Sequence, residues 1–372
     1  MLPPDFLDVL ADPILDLFYQ LEDSVITDMA RRLKKMTAKE LDAAAWQMQR
    51  LTESGALYDS VLEKLAQVTG KSEKELRAIF QEAGVKAMRF DDAIYRAAGL
   101  NPLPLNLSPA MAQTLAAGLA KTQGIMRNLT MTRAIQAQTA FIDAADFAYL
   151  QISTGTFSYQ DALRQGVMKL ADSGLSVINY ASGHSDHLDV ALRRTVLTGV
   201  SQTVGKLQER RADDLGADLV QVSAHIGARP THQVWQGEIF SRSGTHAKYP
   251  DFVTSTGYGT GPGLMGWGCR HSWFPFFEGI SAEHYKQAEL ENYADKKVTY
   301  NGQEMSFYDA TQKQRAIERQ IRQWTRRENA LIAAGLSTER ESAKVKAWKT
   351  EMKRFIAQTK LQRQRFREQV FA

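Results

Sequence analysis

Leu219-Val-Gln-Val-Ser-Ala-His-Ile-Gly-Ala-Arg-Pro-Thr-His232 is the stretch on which the fold turns. Its first five residues alternate apolar and polar, which predicts a half-buried β-strand. The strand runs straight into Gly227, Pro230 and two histidines, so a loop takes over where chemistry-bearing side chains begin. Outward from it the composition changes on both sides. Residues 227–279 hold 10 of the 25 glycines and 4 of the 10 prolines, whereas no proline occurs from Ala110 to Arg229 or after Pro275. Proline-free stretches permit helices, and a dense Gly/Pro/aromatic stretch predicts turns and short strands. The expected fold class is mainly α with a small α+β Gly-rich module. Three regions are expected: helical over 1–130, the module within 131–280, and a hairpin with a basic helical tail over 281–372.

The N-terminal region reads as helices from its caps. Asp12-Pro13 starts one, with Pro at the first helical position, and Ile14, Leu17, Phe18, Leu21, Val25, Met29 and Leu33 follow at helical spacing. Thr37 with Glu40, and Ser72 with Glu75, read as capping boxes, and Ser158 with Asp161 opens a further helix. Asn101-Pro-Leu-Pro-Leu interrupts the pattern and Ser108-Pro109 restarts it. Residues 188–207 carry Val196, Leu197, Val200 and Val204 at helical spacing. Aromatic and Met positions are read as core.

The chain has 372 residues, 44% hydrophobic and 24% charged, which suits a globular protein of two or three structural units rather than a disordered one. A single cysteine, Cys269, excludes an intramolecular disulfide framework and any CxxC zinc or redox module. No run of about 18 apolar residues exists, so no membrane-spanning helix and no membrane partner are expected. Residues 1–12 carry acids and no bases, opposite to a secretory or transit signal. The expectation is a soluble chain made in the cytoplasm. Its net charge of +4 is uneven: residues 311–372 hold 16 Lys+Arg against 6 Asp+Glu, leaving the remainder at −6. Such polarity points to charged partners at the two ends.

Within the module stand Trp235-Gln-Gly237, Thr256-Gly-Tyr-Gly-Thr-Gly-Pro-Gly263 and Gly266-Trp-Gly-Cys-Arg-His271. The glycine run is neither a P-loop nor a dinucleotide fingerprint, since no Gly-Lys-Ser/Thr and no amphipathic helix follow it. It reads as a compact loop packed on aromatics. His225, His232, Cys269 and His271 form a donor set that zinc accepts, although the spacing His-x6-His, 36 residues, Cys-x-His matches no common knuckle. A Cys269 nucleophile with His232 or His271 as base, its thiol lowered by Arg270, is a second reading. The preferred reading is structural: Arg229, His232 and His271 hydrogen-bond loop backbones and Cys269 is a small buried hydrophobe. No catalytic residue and no cofactor are assigned.

The run Val222-Ser-Ala-His-Ile-Gly-Ala-Arg-Pro-Thr-His-Gln-Val-Trp-Gln-Gly-Glu-Ile-Phe240 resembles the signature of phage minor capsid protein 2, a family of tailed-phage and prophage head proteins. Tyr249-Pro-Asp-Phe252, Thr256 to Leu264, Cys269-Arg-His-Ser272 and Phe274 to Gly279 continue the likeness in order. Arg193-Arg-Thr195 and Thr198-Gly-Val200 upstream, and Tyr308 to Arg315 with Glu318 to Arg322 downstream, extend it. Arg229, His232, Trp235, Gly237, Gly257, Gly259, Cys269, Arg270 and His271 are its structural motif. One departure is Gly268, where the family pattern carries Asn. More remotely the chain is similar to phage Mu F-type head-morphogenesis proteins. The resemblance implies a structural virion protein of the capsid interior or portal vertex. It would partner the portal and other head proteins in head assembly, DNA packaging or ejection. It implies no enzyme activity and, with the chain ending near residue 372, no added C-terminal domain. The alternatives are a packaged or injected hydrolase using the Cys/His cluster, and a non-viral DNA- or partner-binding protein.

After the module, Asn301-Gly302 between Val298 and Glu304 predicts a type I′ hairpin. Ile317, Ile321, Trp324, Leu331 and Ile332 then recur at helical spacing, with arginines expected on the remaining surface, and Gly335 ends that helix. Ser337-Thr338 starts another, expected to carry Trp348, Phe355, Leu361 and Phe366. Residues 353–367 are rich in bases and hold no acid. Arg322, Arg326, Arg327, Lys353, Arg354, Arg363, Arg365 and Arg367 are the candidates for contact with double-stranded DNA, without sequence preference because no base-reading motif is present.

Overall fold

The structure is a computed structural model that describes residues 1–37, 42–155, 157–173, 177–179 and 185–370. Helices dominate, at 70% of the chain. A short α1 (Pro4–Val9) leads into α2 (Asp12–Thr37), which starts at the Asp-Pro pair. Next comes α3 (Ala43–Ala97), 55 residues long, ended by Gly99 in the left-handed region at φ 76°. After the Pro-rich break, α4 (Pro109–Met131) begins with the Ser108 hydroxyl accepting from the Met111 amide. α5 (Arg133–Ser153) and α6 (Tyr159–Ser173) follow, the latter capped by Ser158 and Asp161. Strands β1 (Val177–Asn179) and β2 (Ser185–His187) pair antiparallel ahead of α7 (Leu188–Leu215).

The Gly-rich module contains β3 (Leu219–Val222), α8 (Pro230–Gln233), β4 (Ile239–Ser241), α9 (Phe252–Thr256) and β5 (Trp273–Pro275). Then α10 (Gln287–Asp295) leads to the hairpin of β6 (Lys297–Tyr300) and β7 (Gln303–Ser306). Its turn has Asn301 at φ 50° and Gly302 at φ 77°, as a type I′ turn requires. The chain closes with α11 (Phe307–Ala334), ended by Gly335 at φ 70°, and α12 (Glu339–Thr359). The mainly α class with a small α+β module is therefore the observed one.

Four local expectations differ. Ser72 does not cap a helix: it lies inside α3, buried, and its hydroxyl donates to the Thr69 carbonyl at 2.9 Å. Thr37 is the last residue of α2 and its hydroxyl donates back to Leu33, while Glu40 lies outside the described residues. Strand β3 is buried on both faces rather than one. Gln221 fits there because its amide donates to Gly237 at 2.8 Å and accepts from the His284 amide at 3.1 Å. Finally α12 stops at Thr359, with Lys360 left-handed, so Leu361 and Phe366 lie beyond it.

Packing divides the chain into two units, each assembled from three segments. One comprises Met1–Ile14, Glu73–Met126 and Leu192–Thr311, the other Leu15–Ser72, Arg127–Ala191 and Gln312–Ala372. The first unit contains the three-stranded antiparallel sheet β4-β3-β5. Its register sets Val220 opposite Phe240 and Pro275, and Val222 opposite Trp273, all buried. Helix α4 meets α7 through a reciprocal fit. A Cβ on Gly118 would lie 2.0 Å from the Thr203 hydroxyl, and one on Gly199 would lie 2.2 Å from that of Thr122. Each hydroxyl donates to the glycine carbonyl four residues earlier in its own helix, so close approach leaves neither unsatisfied. Gly199→Val is therefore expected to cost about 2 kcal/mol by overpacking. Gly70→Ala, with nothing within 4 Å, should gain up to about 1 kcal/mol. Thermal unfolding of both variants checks this; equal stabilities would refute the close crossing.

In the second unit, alanines of α5 (Ala137, Ala144, Ala145, Ala148) and Gly166 of α6 are fully buried or nearly so. Gly166 lies against Leu33 and Ala148, so small residues set that three-helix contact. Trp46 stacks on Tyr149 with centroids 5.0 Å apart. Ile317, Ile321 and Leu331 of α11 and Met352 and Phe355 of α12 are buried, while Ile332 is exposed.

Candidate functional site

Strand β3 decides where the signature side chains meet. Antiparallel pairing with β5 sets the segment that follows β3 beside the segment that precedes β5: the Ser223 amide donates to the Ser272 carbonyl at 2.7 Å, and the Ser272 amide to the Ser223 hydroxyl at 2.9 Å. His232, on the single turn of α8 begun by Pro230, and the Cys269-Arg-His271 run are thereby brought together. All three chemistry-bearing residues are buried, with 2%, 1% and 1% exposure for His232, Cys269 and His271. The Cys269 sulfur lies 3.7 Å from His232 Nδ1 and 3.5 Å from His271 Nδ1. The donor atoms of the three all lie within 4.8 Å of one another.

His225 does not join that group. Its ring stacks on His271, centroids 4.4 Å apart, and its Nδ1 donates to the Ile226 carbonyl at 3.0 Å. Around the group, Trp235 packs on His232 and edge-on to His271, with centroids 4.5 and 4.9 Å away. Arg229 donates to the Trp267 carbonyl and His232 Nε2 to the Pro262 carbonyl, so two of the three expected loop-backbone bonds form. His271 Nε2 instead donates to the Gln236 side chain at 3.2 Å. Arg270 turns away to Asp8 at 3.5 Å.

The electrostatics favour neutral side chains. Burial, reinforced by Arg270, lowers His225 to about 4. Burial, with Arg229 adding, lowers His232 to about 4. Burial and the neighbouring imidazoles hold His271 well below its ordinary value. Burial pushes the Cys269 thiol up, and this outweighs the pull of Arg229 and Arg270. The expected lowering of the thiol by Arg270 is therefore reversed by desolvation. Reactive cysteines sit in exposed electropositive surroundings, and this one does not.

The glycines hold the loop that covers the group. Gly257 is left-handed and ends α9, and Gly259 has φ 87°. Gly237, at φ 78°, lies against Leu290. Gly268 has φ 64°, a left-handed conformation that Gly and Asn both tolerate. Thr198 of α7 ties in the upstream motif: its hydroxyl donates to the Gly266 carbonyl and accepts from the Gly268 amide, both at 3.4 Å. Arg193 donates to Asp8 and Asp12 at 3.1 and 3.2 Å.

The basic candidates separate into two groups. Arg322 pairs with Asp189 at 3.1 Å and Arg326 with Glu22 and Asp23. Arg327 holds Asp172 at 2.7 Å and Arg363 holds Glu368 at 2.5 Å. Arg322 and Arg326 thus point into the unit rather than covering its surface. Arg354 pairs with Glu351, Arg367 gives its carbonyl to Arg322, and Lys353 and Arg365 are exposed. The structure adds Lys360, exposed just past the end of α12, and Lys346 and Lys349, exposed with Lys353 at helical spacing on one stripe of that helix; none of the four has a carboxylate partner among the described residues. Their three- and four-residue spacing is readable in the sequence; which face the helix buries is not.

No helix of the described residues is long and apolar enough to cross a membrane. No solved structure matches the chain. A "Structural protein" of Lactococcus phage LL-H is 25% identical over 349 residues, covering 90% of this chain and 89% of that protein. A second "Structural protein", of Lactococcus phage mv4, is 29% identical over 127 residues, covering 33% of this chain and 93% of the relative. The family described as Phage minor capsid protein 2 matches residues 2–357, which takes in the buried His/Cys group, its glycine loop and both terminal helical regions. The chain belongs to the phage minor capsid protein 2 family.

Proposed function

We propose that this protein is a structural component of the phage virion that acts at or near the portal in head assembly, DNA packaging or ejection. In this reading its last helix contacts packaged double-stranded DNA. Family membership and the structural-protein relatives support the virion role. Residues 1–130 supply docking to portal and other head proteins, 131–280 the signature core, and 281–372 the DNA contact. The observation that carries the DNA contact is the stripe of Lys346, Lys349 and Lys353 on α12, continued past the helix end by Lys360 and Arg365. Unpaired exposed lysines on one helix face suit phosphates, and nothing in the stripe reads bases.

The test uses the full chain and short duplexes of unrelated sequence. Affinity is expected to be equal for all sequences and to fall with salt, with log K against log salt sloping at about −3 to −4 for four phosphate contacts. Replacing the four lysines by Gln should flatten that slope while leaving the helical circular dichroism intact. A wild-type affinity that ignores salt, or a quadruple variant with an unchanged slope, removes the DNA contact. Chemical cross-linking in filled heads tests the portal placement separately, and recovery of the chain from neither procapsids nor virions overturns it.

A further inference from the structure

We propose that His232, Cys269 and His271 bind one zinc ion, as a structural clamp between the segment after β3 and the segment before β5. Nothing about virion assembly is needed for this inference; it rests on the geometry of the three side chains. A tetrahedral zinc with its usual bonds to sulfur and nitrogen sets ligand N and S atoms about 3.6 Å apart. The two Nδ1-to-Sγ distances are 3.7 and 3.5 Å.

The tautomers agree with that. His232 Nε2 donates to the Pro262 carbonyl at 2.9 Å and His271 Nε2 to the Gln236 side-chain oxygen at 3.2 Å. In a neutral imidazole the other nitrogen then carries the lone pair. Both Nδ1 lone pairs are therefore aimed at the same sulfur. A thiol has one proton and cannot serve two acceptors, so without a cation one buried lone pair faces sulfur unserved. Zinc-binding histidines characteristically donate the remote N–H to a carbonyl or carboxylate, which fixes the ring. Here both rings are held in that way. The sulfur also accepts from the His271 amide at 3.4 Å, a bond that favours thiolate.

Binding replaces the thiol proton by the metal: Zn²⁺ gains one sulfur and two nitrogen bonds, and one proton leaves to solvent. Three protein donors leave one tetrahedral position for a water. Exposure of only 1–2% at the three ligands leaves no room for a substrate beside them, so the role is cross-linking two loops. The Trp235 ring, packed on His232 and edge-on to His271, closes the group from one side.

The chain has one cysteine, so any thiolate-to-metal transition in it reports Cys269. The experiment takes the untagged full chain, measures zinc by elemental analysis, then exchanges the metal for Co²⁺. The expected result is about one zinc per chain. With cobalt it is a near-ultraviolet sulfur-to-cobalt band together with intense tetrahedral visible bands. Cys269→Ala and His232→Ala should lose the stoichiometric metal. Because those variants can fail to fold, Gln236→Leu is the milder one: it should keep the stoichiometry but lower zinc affinity roughly 10–100-fold. A folded wild-type chain that takes up neither zinc nor cobalt overturns the proposal. So does cobalt bound without the sulfur band, or a Gln236→Leu variant with unchanged affinity.

Discussion

Replacing Arg326 by Met is expected to destabilise the protein by about 3–5 kcal/mol, because it leaves two buried carboxylates without their cation. Glu22 and Asp23 are each 5% exposed, and Arg326 reaches both, the Asp23 contact at 3.5 Å. Beside them Asp189 accepts from the Tyr19 hydroxyl at 2.9 Å and from Arg322 at 3.1 Å. Burial pushes Asp189 up, but Arg322, Arg326 and the Tyr19 hydroxyl together hold its carboxyl below the ordinary value. Burial pushes Glu22 up more strongly than Arg326 pulls it down. A carboxyl with a raised folded pKa contributes stability below its unfolded pKa and loses it as pH rises through the folded one. Removing Arg326 raises Glu22 further. The deficit of Arg326→Met should then be smallest at and below about pH 4, the free glutamate value, and grow toward neutrality. Arg326→Lys keeps the charge and should cost less. Adding Glu22→Gln and Asp23→Asn to Arg326→Met should recover most of the loss. Chemical denaturation across pH reads all of these; a loss under about 1 kcal/mol at neutral pH, or one that shrinks as pH rises, contradicts the buried cluster.

That cluster also shows where reading the sequence stops. Helix starts and stops were legible because their causes are local. Asp12-Pro13, Ser158 with Asp161, Asn301-Gly302 and Gly335 each act within a few residues, and each stands where the spacing predicts. Ser72 with Glu75 has the same local signature, yet α3 runs through it, because a serine hydroxyl in a helix can donate to its own preceding turn. Arg322 and Arg326 look like surface bases in a basic tail. They turn inward because acids distant in sequence, Asp189 and Glu22, are folded against α11.

The site was legible in part for the same reason. The glycine loop and the residues His232, Cys269 and His271 stand out by composition, but 37 positions separate His232 from Cys269, and spacing alone cannot join them. The β3–β5 register does so, and it leaves His225 stacked outside the group. The interleaving of the two units, each from three segments, follows packing and has no compositional mark.

The second large effect concerns the loop that covers the group. Gly263 has no left-handed φ, so its need for glycine is purely spatial: a Cβ there would sit 2.0 Å from the Gly257 carbonyl oxygen and 2.4 Å from its carbon. That carbonyl cannot swing aside cheaply. It accepts from the Thr260 amide at 3.0 Å and from the Thr260 hydroxyl at 2.6 Å, while Leu264 donates across the loop to Thr256 at 3.0 Å. Gly263→Ala must open this turn and is expected to cost about 3 kcal/mol, the upper end of overpacking by one methyl. Gly259→Ala is the informative contrast. Gly259 is left-handed at φ 87° with no atom within 4 Å of its Cβ position, so only backbone strain of about 1–2 kcal/mol is expected. The larger effect should also reach the histidine. Opening the turn moves the Pro262 carbonyl, which holds His232 Nε2 at 2.9 Å, so the His232 ring resonances should shift in Gly263→Ala and stay put in Gly259→Ala. Thermal unfolding and proton–nitrogen spectra of the imidazoles distinguish the two variants. Equal losses with unshifted His232 signals would mean that the close backbone contact between Gly257 and Gly263 is not what positions the loop.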